Sequence, residues 1–400
     1  MTVEFIPTTL GGEVTAPPSK SIAHRCLISC YLAGGGRVGN IAYSEDVKAT
    51  INCIRALGGE VQEKENEVEI KVNGTLWDIP ENPVLNANES GSTLRFFIPI
   101  CMAMGQEITF KGTKKLLSRP LGFYEELAEE KGFVFSRNEE EIKIKGNLKS
   151  GIYRLKGNIT SQYITGLMFV LPLLDGDSKI IIEPPFESRS YVVMTAEILE
   201  KYGIETELME NEIHIKGGQS YKKTDYRVDD DMSNGAYLEG YNYCGENKIK
   251  VKAETLMTQG DSVYKEYLEK VKNGEEVDLT DCPDLGPLLY AVASANKGGR
   301  FKGTDRLSIK ESDRNLAMQE ELKKFGAGME IGENEVVIKK SEIKKPIEEI
   351  DSHNDHRIFM ALSILLTKTG GIIKGAECVK KSFPDYLEVL EKLEAKFNVS

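Results

Sequence analysis

The stretch that decides the fold runs from Ile51-Asn52-Cys53-Ile54-Arg55-Ala56-Leu57-Gly58-Gly59, through Asn66-Glu67, to Val68-Glu69-Ile70-Lys71-Val72. It reads as a helix stopped by glycine, a strand, a tight turn on asparagine, and a second strand whose apolar residues alternate as a half-buried strand requires. The same order returns along the chain. Tyr124 to Lys131 leads to Gly132, Asn138 and Ile142-Lys143-Ile144-Lys145. Ile198 to Tyr202 leads to Gly203, Asn211 and Ile213-His214-Ile215-Lys216. Leu316 to Phe325 leads to Gly326, Asn334 and Val336-Val337-Ile338-Lys339. Asn66, Asn138 and Asn211 are spaced by 72 and 73 residues, a register too regular for chance hairpins. A worn copy is expected at Val263 to Val271, Gly274 and Glu276 to Leu279. A closing helix from Tyr386 to Phe397 is expected to begin a sixth.

Helices alternating with short strands in repeated units predict an α/β (α+β) protein with sheets of mixed direction. Three copies precede residue 218 and the remainder follow residue 230, which predicts two domains of three units each. The division is 18–229 for one domain, and 1–17 with 230–400 for a discontinuous other. Hinge crossings are placed near 17–18 and at 217–230, Gly-Gly-Gln-Ser-Tyr-Lys-Lys-Thr-Asp-Tyr-Arg-Val-Asp-Asp.

At 400 residues, 40% hydrophobic and 28% charged, the chain can bury full-sized cores. A net charge of −12 argues against nucleic acid or an anionic membrane as main partner, so any anion it binds is small and held in a local basic pocket. The first ten residues carry no targeting pattern and no apolar run approaches a bilayer span, which predicts a cytoplasmic protein. Seven widely spaced cysteines in apolar segments predict reduced, buried thiols, with no disulfide and no zinc cluster.

The residues that interrupt the repeat carry the chemistry. In Pro17-Pro18-Ser19-Lys20-Ser21-Ile22-Ala23-His24-Arg25 two prolines end a strand, and a helix starts near Ser19. Cations at a helix start oppose the helix dipole unless an anion joins them. Ser21 and Arg25 lie four apart on one face and can reach one ligand. Glu89-Ser90-Gly91-Ser92-Thr93-Leu94-Arg95 repeats the theme, and Gly91 lets backbone N–H groups approach an anion. Thr160-Ser161-Gln162, Leu117-Ser118-Arg119-Pro120 and Glu187-Ser188-Arg189-Ser190-Tyr191 are further helix starts. In Lys310-Glu311-Ser312-Asp313-Arg314 the two cations are expected four apart on one helical face, with Glu311 beside them as an acid/base group. Taken singly, each stretch reads equally well as a cap with solvated charges. Their sum differs: Lys20, Arg25, Arg95, Arg119, Lys310, Arg314, Arg357 and Lys381 all sit near helix starts in an acidic protein. That combination suits a substrate with more than one phosphate or carboxylate. His353 and His356, with Asp351 or Asp355, have metal-ligand chemistry, but no further histidine cluster completes a site, and no metal is expected.

These motifs resemble, in order from Pro17 to Tyr386, those of the 5-enolpyruvylshikimate-3-phosphate synthase family (3-phosphoshikimate 1-carboxyvinyltransferases). The matching pieces are Pro-Ser-Lys-Ser-Ile-Ala-His-Arg, Ser-Gly-Ser-Thr-Leu-Arg, Ser-Arg-Pro, Thr-Ser-Gln-Tyr-Ile-Thr, Ile-Lys-Glu-Ser-Asp-Arg, Asn-Asp-His-Arg and Lys-Ser-Phe-Pro-Asp-Tyr. The resemblance implies a two-domain inside-out α/β barrel, each domain of three βαβαββ units with helix N-termini facing the interdomain cleft. It implies transfer of the enolpyruvyl group of phosphoenolpyruvate to the 5-hydroxyl of shikimate 3-phosphate, with phosphate released, in the route to chorismate and the aromatic amino acids. No metal or organic cofactor, a monomer, and glyphosate as inhibitor follow from it.

By motif position Lys20, Ser21, Arg25, Thr160, Ser161, Gln162, Ser188, Asp284 and Lys310 would bind shikimate 3-phosphate. Lys20, Gly91, Arg119, Gln162, Arg314, Arg357 and Lys381 would bind phosphoenolpyruvate. Asp284 and Glu311 would carry the two protons, with Lys20 assisting at the bridging oxygen. The family often has Asn-Ala-Gly-Thr or Asn-Ser-Gly-Thr where this chain has Glu89-Ser90-Gly91-Ser92, and Glu239-Gly240-Tyr241 replaces an apolar helix continuation. Two competing readings are a non-catalytic relative that binds a small anionic metabolite and the related UDP-N-acetylglucosamine enolpyruvyl transferase. The second uses a cysteine acid in a loop where Gly112 to Arg119 has none.

Overall fold

The computed structural model describes residues 1–400, which form two compact units. One comprises Met1–Pro17, Asp230–Thr255 and Gln259–Ser400, and the other Pro18–Asp229 with Leu256–Thr258.

The unit built on 18–229 carries three four-stranded sheets of one pattern. In the clearest, Val84–Asn86 runs parallel to Ile108–Lys111, which pairs antiparallel with Glu141–Lys145 and that in turn with Val134–Arg137. The helices Gly91–Ala103 and Gly122–Lys131 fall between, so the chain order is βαβαββ. The alternation read from the sequence follows the pleat: Val68, Ile70, Ile142, Ile144, Ile213 and Ile215 are all buried. Asn138 makes its turn by accepting from Glu140 N and Glu141 N with its side-chain oxygen. In the first copy, the parallel strand beside Gly35–Gly39 is Tyr226–Arg227, which arrives from the far end of this unit. The helices form the core. Gly91–Ala103 and Ser161–Val170 approach so closely at Gly166 that a Cβ there would lie 2.5 Å from Arg95 O.

The other unit has two sheets of the same pattern and one reduced pair. The strands Val277–Asp278, Gly299–Lys302, Glu335–Ile338 and Met329–Ile331 form the first sheet. Ile350–Asp351, Gly371–Lys374, Thr2–Ile6 and Lys396–Val399 form the second, with Thr2–Ile6 paired on both sides. The expected closing helix is therefore shorter than its periodicity suggested: it spans Tyr386–Lys392, and Lys396–Val399 is a strand. The expected worn copy is cut down further. The helix Tyr264–Asn273 ends at Gly274, whose φ of +82° needs no Cβ, and the chain runs straight into Val277–Asp278, the first strand of the next sheet. No hairpin forms there, and Gly11–Thr15 pairs in parallel with Lys248–Lys252 alone.

Glu239-Gly240-Tyr241 is accommodated by packing rather than by an apolar continuation. A Cβ on Gly240 would lie 2.4 Å from Leu288 Cδ1, so glycine sets the approach of the helices Met232–Gly240 and Gly286–Ala295. Buried Tyr241 shares its hydroxyl with Ser363 at 3.0 Å and Tyr386 at 2.8 Å. All seven cysteines are free and buried, and burial pushes the Cys30 thiol up to about 12. No helix is long and apolar enough to cross a membrane.

Candidate functional site

In the unit of residues 18–229, the helices starting at Lys20, Gly91, Ser161 and Arg189 bring hydroxyls and cations to their first turns. Ser19, Ser90 and Thr160 cap the first three through their side-chain oxygens. Ser188, buried and left-handed at φ +51°, precedes the fourth. Arg25 is 3% exposed and its fork is fully directed. Nε donates to Thr195 Oγ1 at 2.8 Å, Nη1 to Ser21 O at 2.8 Å, and Nη2 to Tyr191 O at 3.2 Å and Thr165 Oγ1 at 3.4 Å. Every one of these partners is a neutral oxygen, and burial lowers the guanidinium to about 10. A buried cation held only by neutral groups retains its attraction for an anion.

A pair of guanidiniums sits at Gly91. A Cβ on that residue would lie 2.8 Å from Arg119 Nη1 and 2.9 Å from Arg95 Nη1, so both cations converge on its backbone. Arg95 donates to Gln162 Oε1 at 2.9 Å and Pro120 O at 3.0 Å, and burial, then the charge of Arg119, bring it down to about 10. Gln162 Nε2 in turn reaches Ser92 Oγ at 3.0 Å. Two like charges this close to a helix start favour an anion between them. Arg95 thus orients Gln162 as well as contributing charge. Lys20 pairs with Asp46 at 2.9 Å, a partner no motif pointed to. Behind this face, His24 Nδ1 lies 2.7 Å from Thr50 Oγ1, which reaches Thr93 and through it Ser90. Burial, then Lys20 and Arg25, keep His24 neutral well below its ordinary value.

In the other unit the centre is Arg314, 1% exposed at the start of the helix Arg314–Lys324. It donates to Asp284 Oδ1 at 2.7 Å, Asp355 Oδ2 at 2.9 Å and Glu311 Oε2 at 3.0 Å. Lys310 reaches the same Asp284 oxygen at 3.3 Å, and Arg357 Nη2 lies 3.8 Å from Asp284 Oδ2. Lys310 and Arg314 do not share a helical face as expected. Lys310 is extended backbone after the short turn Asp305–Ile309, and Asp284 is what joins the two cations. Burial would raise the Asp284 carboxyl, but Lys310, Arg314 and Arg357 outweigh it and hold it well below the usual range. Burial lowers Lys310 against the pull of Asp284. Arg357 donates to Asn234 Oδ1 at 3.0 Å and stacks 5.1 Å from the Tyr237 ring centroid, while its Nε has no partner. Lys381 Nζ donates to Asn354 O at 2.6 Å.

Asp355, read from the sequence only as a metal-type residue, caps the helix His356–Thr369 and fixes Arg314. Asp46 carried no motif signal, and Asn234 and Tyr237, in a stretch that resembles the family's opening of this domain, were given no role, since their contacts lie far apart in sequence. His353 donates toward Glu321, whose buried carboxylate also accepts from Lys324 and Asp351 N. Glu320, Glu321 and His353 cluster there, apart from His356.

The family model for EPSP synthase (3-phosphoshikimate 1-carboxyvinyltransferase) matches residues 6–272 and 246–390. A 3-phosphoshikimate 1-carboxyvinyltransferase of Clostridium novyi (strain NT) is 39% identical, covering 98% of this chain and 97% of its own. One of Clostridioides difficile (strain 630) is 36% identical over 99% and 98%. The fold is that of EPSP synthase from Acinetobacter baumannii, with a TM-score of 0.80 at 21% identity over 100% of this chain and 99% of that one. On the family match and the full-length relatives together, the chain belongs to the EPSP synthase family.

Proposed function

We propose that this protein transfers the enolpyruvyl group of phosphoenolpyruvate to the 5-hydroxyl of shikimate 3-phosphate and releases phosphate. The observation that carries this reading is the set of guanidiniums without carboxylate partners, buried Arg25 and Arg95 and half-buried Arg119 at Gly91, in a chain whose other unit holds Asp284 and Glu311 on Arg314. A substrate with separate phosphate and carboxylate groups matches the first set, and two proton transfers match the second.

Shikimate 3-phosphate is assigned to Lys20, Ser21, Arg25, Thr160, Ser161, Gln162, Ser188, Asp284 and Lys310. Phosphoenolpyruvate is assigned to Lys20, Gly91, Arg119, Gln162, Arg314, Arg357 and Lys381. A proton from Glu311 goes to C3 of the enol while the 5-hydroxyl oxygen bonds to C2 and its proton passes to Asp284. The adduct then returns a C3 proton to the Glu311 carboxylate, the bond between C2 and the phosphate oxygen breaks, and phosphate leaves with Lys20 assisting at that bridging oxygen. The ionised state of Asp284 is the one a base needs, though three cations weaken its proton affinity. Anionic substrates on Lys310, Arg314 and Arg357 would neutralise those cations and raise that affinity when it is required.

Phosphate release from phosphoenolpyruvate, measured with and without shikimate 3-phosphate in chelating buffer, tests the reading. Release that needs both substrates supports it. No release, with shikimate 3-phosphate still binding by calorimetry, points to a non-catalytic relative. Glyphosate is expected to inhibit, because Gly91 leaves room beside Arg119. Full activity at glyphosate well above the phosphoenolpyruvate KM would remove that part. The reading extends to a monomer working in the cytoplasm, where seven free thiols stay reduced, and sedimentation at 44.5 kDa checks the first.

A further inference from the structure

A buried carboxyl in the Arg314 unit has no place in the scheme above. Asp261 lies in the single turn Gly260–Val263, packed against the helix Met232–Gly240, and is 4% exposed. Its Oδ1 makes no well-formed hydrogen bond, and neither does the hydroxyl of Ser233 on that neighbouring helix, which acts on the carboxyl from a poorly aligned position. The groups that face it are Asp231 from the start of that helix, Asp284 and Cys282 from the turn before Gly286, and Arg357 from the helix His356–Thr369. Burial first, then the charge of Asp284, push Asp261 up to about 7, with Arg357 and a weak pull from Ser233 working the other way. Two carboxyls carried by turns that both pack on the helix Met232–Gly240 are thus driven apart, Asp284 downward and Asp261 upward, which is the pattern of a divided acid/base assignment.

Resting on the proposed function, we propose that Asp261 is a positioning residue that acts through Asp284 and Arg357. Carrying its proton, it adds no charge to a pocket that must accept an anionic substrate. Losing that proton, it places a second negative charge near Asp284 and competes with the substrate for Arg357. The pocket is then closed to anions by its own carboxylate.

The test is kcat/KM for phosphoenolpyruvate against pH in wild type and D261N, which keeps the shape and locks the uncharged form. Wild-type turnover dependent on both substrates is established first, and its absence would fail the proposed function and not this residue. The expected result is a fall in wild-type kcat/KM above about pH 7 that D261N lacks, with the two within about threefold at pH 6 and D261N about tenfold higher at pH 8.5. Substrate ionisation is common to both proteins and cancels. An alkaline limb unchanged in D261N, or a loss by one constant factor at every pH, would overturn the proposal. A purely structural role gives the constant factor. If D261N does not fold, calorimetry of shikimate 3-phosphate binding to wild type at pH 8, in two buffers of different ionisation enthalpy, decides. Proton uptake supports the proposal and none overturns it.

Discussion

Replacing Asp355 separates the parts of the Arg314 clamp. Its carboxylate is fully buried and accepts from Arg314 Nε at 2.9 Å, Ser312 Oγ at 3.0 Å and Arg357 N at 2.8 Å. Breaking an isolated buried pair costs about 3–5 kcal/mol. Arg314 keeps Asp284 and Glu311, so about half of that, roughly 2 kcal/mol, is expected from the charge. Loss of the helix cap adds about 1 kcal/mol. D355A should therefore cost about 3 kcal/mol in all. In D355N the cap acceptor survives, and the loss should be about 1–2 kcal/mol. Urea unfolding followed by circular dichroism reads the loss. Trp77, the single tryptophan, belongs to the other unit, and its fluorescence transition should move less. A D355A loss below about 1 kcal/mol would refute the clamp, because a fully buried guanidinium cannot lose one of three anions so cheaply.

Three further outcomes follow from the same contacts. R25K cannot serve four oxygens with one ammonium, so the KM for shikimate 3-phosphate should rise about a hundredfold with kcat changed less; an unaltered KM would exclude Arg25 from that site. G240A should cost about 1–3 kcal/mol in urea, since its Cβ would clash with Leu288, and a neutral outcome would mean that the helices are free to part. His24 has its folded pKa below its unfolded one, so the unfolded chain binds the extra proton and stability falls as pH drops below about 6.5. Melting-temperature differences between wild type and H24Q across that range should shrink toward acid, and parallel curves would contradict a neutral His24.

The repeat was legible because its parts are local. Alternation at Val68 and Ile70, glycine at Gly132 and Gly274, and the caps Ser19, Ser90 and Asp313 are each decided within a few residues. The strands that complete the sheets were not legible. Thr2–Ile6 and Tyr226–Arg227 join partners more than a hundred residues away, and nothing in so short a run encodes a partner. The cations of the candidate site could be picked out because helix starts disfavour them, and Asp46 and Asp261 could not, because an isolated aspartate reads as surface. Lys310 and Arg314 show the hazard of spacing alone: their four-residue separation spans a break in the helix, and a distant carboxylate brings them together.

The placement of Thr2–Ile6 between Gly371–Lys374 and Lys396–Val399 imposes an order on assembly during synthesis. The unit of residues 18–229 has every strand once residue 227 has left the ribosome, and its last segment at Thr258. The strand at the amino end must wait with both edges bare until nearly the whole chain has emerged. An unpaired strand of alternating apolar residues is a template for wrong pairing. Its Glu4, on the face away from Val3 and Phe5, is the one charge that guards it during that wait. Nascent chains arrested at a length where Thr258 has cleared the ribosome should protect 18–229 from protease while residues 1–17 remain cleavable.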